Sequence, residues 1–126
     1  MPERLIVVGG VAAGMSAAAK ARRTNKQLDI IVYEQSGFVS YGSCGFPYFI
    51  KGEIPQINDV IVRTPAQFAA QGITAHVKHQ VLAIDSAAQT VVVRNLDTGH
   101  EFTDQWDRLI LTTGGASARP ALAGLQ

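Results

Sequence analysis

The sequence contains very little cysteine, because Cys44 is the only one in 126 residues. A disulfide within the chain is therefore excluded, and so is a zinc site that needs several thiolates. Redox pairs of the C-x-x-C and C-x-x-x-x-C types are excluded as well, since Pro47 and Phe49 occupy the second positions. A single unpaired thiol is typical of a reducing compartment, so we expect a cytoplasmic protein.

The sequence also lacks a charge bias and long apolar runs. Lys and Arg number 11 against 10 Asp and Glu, which leaves no field to attract nucleic acid. No apolar run is long enough for a bilayer span, and the run Leu5 to Val8 is too short for the core of a signal peptide. We therefore expect neither nucleic acid nor a membrane as a partner.

Residues 1–34 predict a β-α-β unit. "RLIVVGG" predicts a buried strand that ends at Gly9, and "GMSAAAKARRTN" predicts an alanine-rich helix with Arg22 and Arg23 in its last turn. "LDIIVYE" predicts a second strand that ends at Glu34. A strand, a helix and a strand at this spacing form a right-handed crossover with parallel strands.

The remaining residues predict a short capped helix followed mainly by strands. Residues 35–58 are expected to be irregular, with one short helix after Cys44. "TPAQFAAQGI" has Thr64 at a helix cap and Gln67 at the capping-box position. One strand over "ITAHVKHQVLAID" and others over "TVVVRNL" and "HEFTDQW" predict an antiparallel meander before a last buried strand, Arg108 to Thr112. The predicted fold class is α/β, with a Rossmann-like parallel sheet plus an antiparallel β-meander.

A glycine-rich turn joins the first predicted strand to the first helix. Gly9 and Gly14 hold the first and last positions of a G-x-G-x-x-G frame, with Val11 at the middle position. Such a turn presents backbone N–H groups and the positive end of a helix dipole to a pyrophosphate. Glu34 follows Gly14 by twenty residues at a strand end, where a carboxylate accepts hydrogen bonds from an adenosine ribose. The alternative is a tight turn in an unrelated α/β domain, with Glu34 solvated.

Cys44 lies in the Gly- and Ser-rich stretch "SYGSCGFPY". If a short helix begins at Gly45, the thiol lies at its N-terminus, where the helix dipole favours thiolate. A thiolate attacks a disulfide to give a mixed disulfide, or reacts with peroxide to give a sulfenic acid. The alternative is an inert cysteine that serves as a small hydrophobic side chain.

The three histidines do not suggest a metal site. His76 and His79 lie three apart on a predicted strand, so we expect their side chains to face opposite sides and not to share a metal. We interpret both, together with His100, as surface residues. No metal is predicted.

One face of the first helix is suited to an anion. Ser16, Lys20 and Arg23 fall at positions i, i+4 and i+7 and therefore share a face. A hydroxyl, an ammonium and a guanidinium in a row suit a phosphate-bearing ligand. An ordinary solvated face is the alternative.

Three stretches carry a resemblance to a known family. "IVVGGVAAGMSAAAKARR", "VYEQSGFVSYGSCGFPYFIKGEI" and "DRLILTTGGASARP" resemble the start of coenzyme A-disulfide reductases, members of the pyridine nucleotide-disulfide oxidoreductase superfamily. The resemblance covers essentially the whole chain. It implies a cytosolic homodimer that binds FAD and uses NAD(P)H to reduce disulfides or persulfides of coenzyme A through one cysteine.

The resemblance also implies roles for individual residues. Cys44 matches the redox nucleophile, and Thr112 stands where the family's "ATG" element has Ala. The implied FAD contacts are the pyrophosphate loop, the ribose-binding acid with its neighbour, a backbone contact to adenine and the flavin element: Gly9, Gly10, Val11, Ala12, Ala13, Gly14, Glu34, Gln35, Val81, Thr113 and Gly114. The implied coenzyme A contacts are Ser16, Lys20, Arg23, Ser40 and Ser43.

NADH oxidases and peroxidases of the same superfamily are the close alternative. They typically place a catalytic His inside the glycine loop, where this chain has Ala12. The family's chains are also longer, with a second glycine fingerprint, a return segment of the FAD domain and a dimerisation domain. We therefore interpret residues 1–126 as the first segment of an FAD-binding domain and expect this chain by itself to be inactive. A non-catalytic nucleotide-binding fragment is a further alternative.

Overall fold

The computed structural model describes residues 1–125. The helices and strands in this range are β1 (Arg4–Val8), α1 (Ala12–Thr24), β2 (Asp29–Tyr33), α2 (Phe46–Lys51), α3 (Pro65–Ala69), β3 (Ile73–His76), β4 (His79–Asp85), β5 (Thr90–Asn95), β6 (Glu101–Gln105) and β7 (Arg108–Leu111). Short 3₁₀ turns at Ser43–Gly45 and Ile57–Val60 lie in the segment between β2 and α3. This segment is irregular apart from α2, as predicted.

The predicted β-α-β unit is confirmed. β1 and β2 pair in parallel along their full lengths. α1 begins at Ala12, two residues before the predicted start, and carries Arg22 and Arg23 in its last turn. The guanidinium of Arg22 donates to the carbonyl oxygens of Leu28 and Gly72 at 2.6 and 2.5 Å. Arg22 thus fixes the end of α1 against the segments that enter β2 and β3.

The parallel sheet has four strands in the order β3-β2-β1-β7. α3 precedes β3, and its capping box is formed as predicted. The Thr64 hydroxyl accepts a hydrogen bond from the backbone N–H of Gln67 at 3.3 Å, and the Gln67 side-chain oxygen accepts one from the backbone N–H of Thr64 at 2.9 Å. These two bonds satisfy backbone donors at the start of a helix of only five residues.

The antiparallel meander is confirmed, but the prediction of a single strand over residues 73–85 is wrong. The chain turns at Val77 and at Lys78, which has a φ of 54°. β3 before the turn pairs with β2 in the parallel sheet, whereas β4 after it pairs with β5 in the three-stranded sheet β4-β5-β6. Residue pattern alone does not distinguish one long strand from two strands with different partners, because β propensity reflects the surface on which a side chain packs.

The parallel sheet lies between the helices and the meander. Side chains of β1 alternate between its two faces, as in any strand. One face packs against α1 and α3 through a buried cluster that includes Leu5, Val7, Met15, Ala18 and Phe68. The other face packs against the meander through Ile6, Val8, Tyr33, Val91 and Val93. Two-sided burial accounts for the unbroken apolar run in β1.

A polar network also links the two sheets. The Tyr33 hydroxyl donates to Asp104 Oδ2 at 2.7 Å, and Asp104 Oδ1 accepts from Arg4 at 2.5 Å. Arg4 also donates to Asp29 at 2.7 Å. Burial raises the pKa of Tyr33, and the hydrogen bond to Asp104 raises this pKa further. Tyr33 therefore stays a neutral donor at physiological pH.

The prediction that the last strand is buried is wrong. In β7, Leu109 and Ile110 are half-buried, and Leu111 is 57% exposed. Within residues 1–125, β7 pairs with β1 on one side and is the edge strand of the sheet.

None of the helices in residues 1–125 has the length and apolar character needed to cross a bilayer.

Candidate functional site

The turn between β1 and α1 requires glycine at both of its key positions. Gly9 has a φ of +97°, and a Cβ atom there would lie 2.1 Å from the carbonyl oxygen of Thr112. A Cβ atom on Gly14 would lie 1.8 Å from the carbonyl oxygen of Gly9. The predicted tight turn at Gly9 and the close approach of helix and strand at Gly14 are both present.

The N-terminus of α1 offers unused hydrogen-bond donors. Val11 is the N-cap residue, and its side chain makes no capping hydrogen bond. The first turn contains no acidic residue, and Ala12 and Ala13 are exposed. The first N–H groups of a helix have no partner within the helix, and the dipole places partial positive charge there. The N-terminus of this 13-residue helix therefore has the chemistry that suits an anion.

Glu34 anchors the glycine turn from the next strand. Glu34 is only 6% exposed. Its Oε2 accepts a hydrogen bond from the backbone N–H of Gly10 at 2.6 Å, and its Oε1 accepts one from the N–H of Ser36 at 2.8 Å. Each carboxylate oxygen retains a lone pair for another donor. Glu34 therefore combines a structural role, which the sequence reasoning missed, with the capacity to accept from a ligand hydroxyl.

A cavity of about 430 Å³ opens beside the glycine turn. Seven of the eleven predicted cofactor residues line it: Gly9, Val11, Glu34, Gln35, Val81, Thr113 and Gly114. Among the other four, Gly10 and Gly14 are buried, and Ala12 and Ala13 are exposed in the first turn of α1. The glycine turn, the end of β2, the meander and the segment after β7 thus meet around one cavity.

The cavity wall includes residues that the sequence reasoning missed. Among them are Tyr41, His79 and Gln80. Their positions depend on the packing of the meander and the Cys44 segment against the parallel sheet, for which the sequence offers no local pattern. Only the neighbourhood of Val81, already singled out, could have drawn attention to His79 and Gln80.

Cys44 is exposed and lies in the 3₁₀ turn Ser43–Gly45. α2 begins at Phe46 with Gly45 as its N-cap residue, so the helix begins one residue later than we expected. The segment before Cys44 is tied to the glycine turn, because the N–H of Ser40 donates to the carbonyl oxygen of Gly10 at 2.8 Å. The exposed thiol is thereby held on a segment that is anchored to the glycine turn.

The predicted substrate residues lie in three places. Ser16 and Ser40 line a second cleft of about 360 Å³. Ser43 lines the cavity beside the glycine turn, and Tyr41 lines both. Arg23 lines an open depression at the far end of α1, and Lys20 is exposed on the same helix. The segment that carries Cys44 therefore separates the two clefts.

The prediction that His76 and His79 are surface residues facing opposite sides is wrong. His76 and His79 are half-buried on different strands, and their ring centroids lie 5.1 Å apart. The Tyr33 ring stacks on His76 at 5.5 Å. The turn at Val77 and Lys78 brings both rings to one side, which a single strand would not. His100 is exposed as predicted, and no group of three or more His, Cys, Asp or Glu side chains in residues 1–125 is arranged to hold a metal.

The His76 environment predicts a pH-dependent stability. Burial lowers the pKa of His76 below its usual 6.5, the neighbouring His79 lowers it further, and Asp104 opposes this. Between the folded and unfolded pKa values the unfolded chain binds more protons, so the free energy of unfolding falls as the pH drops below about 6.5. In urea titrations at pH 7.5 and 5.5, we expect a smaller pH dependence for His76→Gln than for the parent.

His100→Gln is the matched control for this experiment, because His100 is exposed. This variant should keep the pH dependence of the parent chain. An identical pH dependence in the parent and His76→Gln would show that His76 does not contribute.

The parallel sheet, the glycine turn and the adjoining cavity define a Rossmann-type α/β protein of the kind found in FAD- and NAD-dependent oxidoreductases. The chain belongs to the pyridine nucleotide-disulphide oxidoreductase family, whose model matches residues 3–126. The coenzyme A disulfide reductase of Staphylococcus haemolyticus is 37% identical over 115 residues, which are 90% of this chain and 26% of that protein. The resemblance to coenzyme A-disulfide reductases is confirmed, and the chain spans about a quarter of the length of this relative.

Solved structures of the family have the same fold over nearly the whole chain. Reduced Bacillus anthracis CoADR-RHD superposes with a TM-score of 0.93 at 30% identity, over 97% of this chain and 22% of that one. The water-forming NADH oxidase of Lactobacillus brevis, solved with NADH bound, superposes with a TM-score of 0.90 at 27% identity, over 95% of this chain and 27% of that one. The same fold therefore occurs in an NADH oxidase, so likeness of fold alone does not decide between reductase and oxidase chemistry.

Proposed function

We propose that this chain is the FAD- and cysteine-bearing segment of an NAD(P)H-dependent reductase of coenzyme A disulfides or persulfides, with Cys44 as the redox nucleophile. The observation that carries the proposal is the position of the Cys44 segment. This segment is hydrogen-bonded to the glycine turn through Ser40, and its Tyr41 and Ser43 line the cavity beside that turn. Cys44 itself lines neither cleft, but its neighbour Ser43 lines the cavity and Gly42 lines the Ser16 cleft.

The residues of the cavity fit a flavin dinucleotide. The uncapped end of α1 and the glycine turn would hold the pyrophosphate, because the helix end offers free N–H groups and neither Gly9 nor Gly14 has a side chain that would intrude. Glu34 would accept from ribose hydroxyls, Val81 would contact the adenine, and Thr113 with Gly114 would lie beside the flavin ring. When bound, the flavin supplies to the cysteine site the two electrons that NAD(P)H delivers.

The chemistry assigned to Cys44 is thiol–disulfide exchange. The thiolate sulfur attacks one sulfur of the substrate, the substrate S–S bond breaks as the new bond forms, and the other half departs as a thiolate. The product is a mixed disulfide between Cys44 and coenzyme A. No second cysteine exists in the chain to resolve it, so two external electrons are needed to release the second thiol.

The exposed face of α1 is the proposed site for the nucleotide part of coenzyme A. Ser16 is in the cleft beside the Cys44 segment, and Arg23 lies seven residues further along the helix. At about 1.5 Å per residue the two are roughly 10 Å apart along the axis. A ligand anchored at Cys44 and extended along α1 would meet Lys20 and then Arg23, both exposed cations that suit phosphate groups.

Arg23→Ala is expected to slow the reaction of Cys44 with coenzyme A disulfide by about tenfold to a hundredfold, because loss of a charge-assisted hydrogen bond costs about 1.5–3 kcal/mol. The reaction with pantethine, which lacks the nucleotide, should be unchanged. The measurement is the second-order rate of adduct formation by mass spectrometry.

Arg94→Ala is the matched control for Arg23→Ala, because this exposed cation lies on β5 and lines neither the depression beside Arg23 nor the Ser16 cleft. It should leave both rates close to those of the parent. Equal slowing of both disulfides by Arg23→Ala would mean that the guanidinium does not meet the nucleotide.

The proposal as a whole is tested by two measurements on the purified chain. After incubation with FAD and desalting, we expect flavin absorbance to remain with the protein. Separate exposure to coenzyme A disulfide and to hydrogen peroxide should give a coenzyme A adduct in preference to a trapped sulfenic acid. Reaction with peroxide alone would favour the NADH oxidase and peroxidase branch, although Ala12 stands where that branch has a His. Retention of flavin with an unreactive thiol would leave a non-catalytic nucleotide-binding module.

A further inference from the structure

Thr112 contacts the glycine turn from the end of β7. Its backbone N–H donates to the carbonyl oxygen of Val8 at 2.9 Å and continues the pairing of β7 with β1. Its hydroxyl lies 2.9 Å from the carbonyl oxygens of both Val8 and Gly9, so one proton is shared between them. Val8 O therefore has a backbone donor already, and the hydroxyl extends the contact to the first residue of the turn.

The Gly9 carbonyl and the Gly10 N–H belong to the same peptide group. The Thr112 hydroxyl donates to the carbonyl oxygen of this group, and Glu34 Oε2 accepts from its N–H at 2.6 Å. The peptide plane is therefore held at both ends by side chains from two different strand ends. We call this arrangement the peptide clamp of Thr112 and Glu34.

The peptide clamp restricts rotation of the Gly9–Gly10 peptide. The peptide lies between two glycines, which have the fewest barriers to rotation about the backbone. Rotation of this peptide would break both hydrogen bonds and turn its carbonyl oxygen toward the Glu34 carboxylate, which now accepts from the N–H. The carboxylate would then be repelled from the position beside the glycine turn in which it is proposed to accept from a ribose.

We propose that Thr112 is a positioning residue that holds the Gly9–Gly10 peptide, and through it Glu34, in the orientation that favours binding of the dinucleotide. This inference rests on the proposed binding of a dinucleotide at the same turn. The family pattern has Ala at this position, so the hydroxyl is expected to strengthen binding and not to be indispensable for it. Thr112 acts through the peptide, and its space is tight, since a Cβ atom on Gly14 would lie 2.7 Å from the Thr112 Oγ1.

The test compares variants that keep or remove the hydroxyl. Thr112→Val keeps a branched side chain of similar size and should weaken binding of FAD and of ADP by about tenfold, because the part-buried carbonyl oxygen of Gly9 loses its hydroxyl donor. Thr112→Ser keeps the hydroxyl and should stay within about threefold of the parent. Calorimetry gives the affinities. Amide hydrogen exchange at Gly10 in the ligand-free chain should be faster in Thr112→Val and unchanged in Thr112→Ser.

Three outcomes overturn the inference in different ways. Equal FAD affinity and equal Gly10 exchange in the parent and Thr112→Val would overturn the inference alone. Absence of FAD and ADP binding by the folded parent would overturn the proposed function, and the inference with it. If Thr112→Val does not fold, Thr112→Ala and Thr112→Ser decide, since both lack the γ-methyl and only the second has the hydroxyl. Equal affinities in that pair would overturn the inference.

Discussion

Replacing Gly14 by alanine is expected to abolish detectable binding of FAD and ADP and to lower the free energy of unfolding by roughly 3 kcal/mol. The added Cβ atom would lie 1.8 Å from the carbonyl oxygen of Gly9 and 2.7 Å from the hydroxyl oxygen of Thr112. The nearest atom is backbone, so no side-chain rotation relieves the clash. α1 must move away from β1, and its uncapped N-terminus then no longer lies beside the cavity. Calorimetry and urea unfolding measure the two effects.

Gly37→Ala is the matched control for this substitution. A Cβ atom on Gly37 would meet only the end of the Lys78 side chain, at 3.9 Å, and Gly37 does not line the cavity beside the glycine turn. This variant should bind and unfold like the parent. If Gly14→Ala retained the affinity of the parent for FAD and ADP, the turn would not be the pyrophosphate site. A fall in stability without a loss of affinity would mean that Gly14 serves packing only.

The parts of the fold that the sequence predicted are those in which local pattern and tertiary structure agree. β1, α1 and β2 carry an apolar strand, an alanine-rich helix and a second apolar strand, and each signal is complete within its own segment. The capping box of Thr64 and Gln67 is likewise local. The tight turn at Gly9 and the close approach of helix and strand at Gly14 were also predicted correctly, since a turn that leaves no room for a side chain requires glycine.

The wrong predictions for residues 73–85 and for the histidines within them have one physical cause. Residues 73–85 have strand character throughout, and only the choice of partner strand divides them at Val77 and Lys78. That choice depends on contacts between residues far apart in sequence. His76 and His79 were placed wrongly for the same reason, since their side-chain directions follow from the turn between them.

The candidate site also has features that the sequence predicted and features that it did not. Glu34 was found from its distance along the chain to the glycine turn, but its hydrogen bond to Gly10 was not. Thr112 contacts Gly9 although the two residues lie more than a hundred positions apart in the sequence. The chemistry of a site is thus partly readable from residue types, whereas the contacts that hold its backbone in place require the tertiary structure.

The purified chain is expected to take up one coenzyme A per molecule from coenzyme A disulfide and then to stop. Cys44 is exposed, lies next to the cavity-lining Ser43, and is the only thiol available. The exchange reaction leaves a mixed disulfide that this chain has no second cysteine to resolve. Intact mass spectrometry should show a single adduct that dithiothreitol removes. Cys44→Ser should show none, which is a complete loss.

The rate distinguishes a redox cysteine from a merely accessible one. Urea-unfolded chain exposes the same thiol without the Ser16 cleft or the cations of α1, so coenzyme A disulfide should react faster with folded protein. Pantethine should show a smaller difference between the folded and unfolded chains, because it lacks the phosphates that Lys20 and Arg23 are proposed to meet. If folded and unfolded chains react equally fast with both disulfides, the fold does not accelerate the reaction of the thiol. Cys44 would then be an accessible side chain, and its assignment as the nucleophile would have to be abandoned even if FAD binding were confirmed.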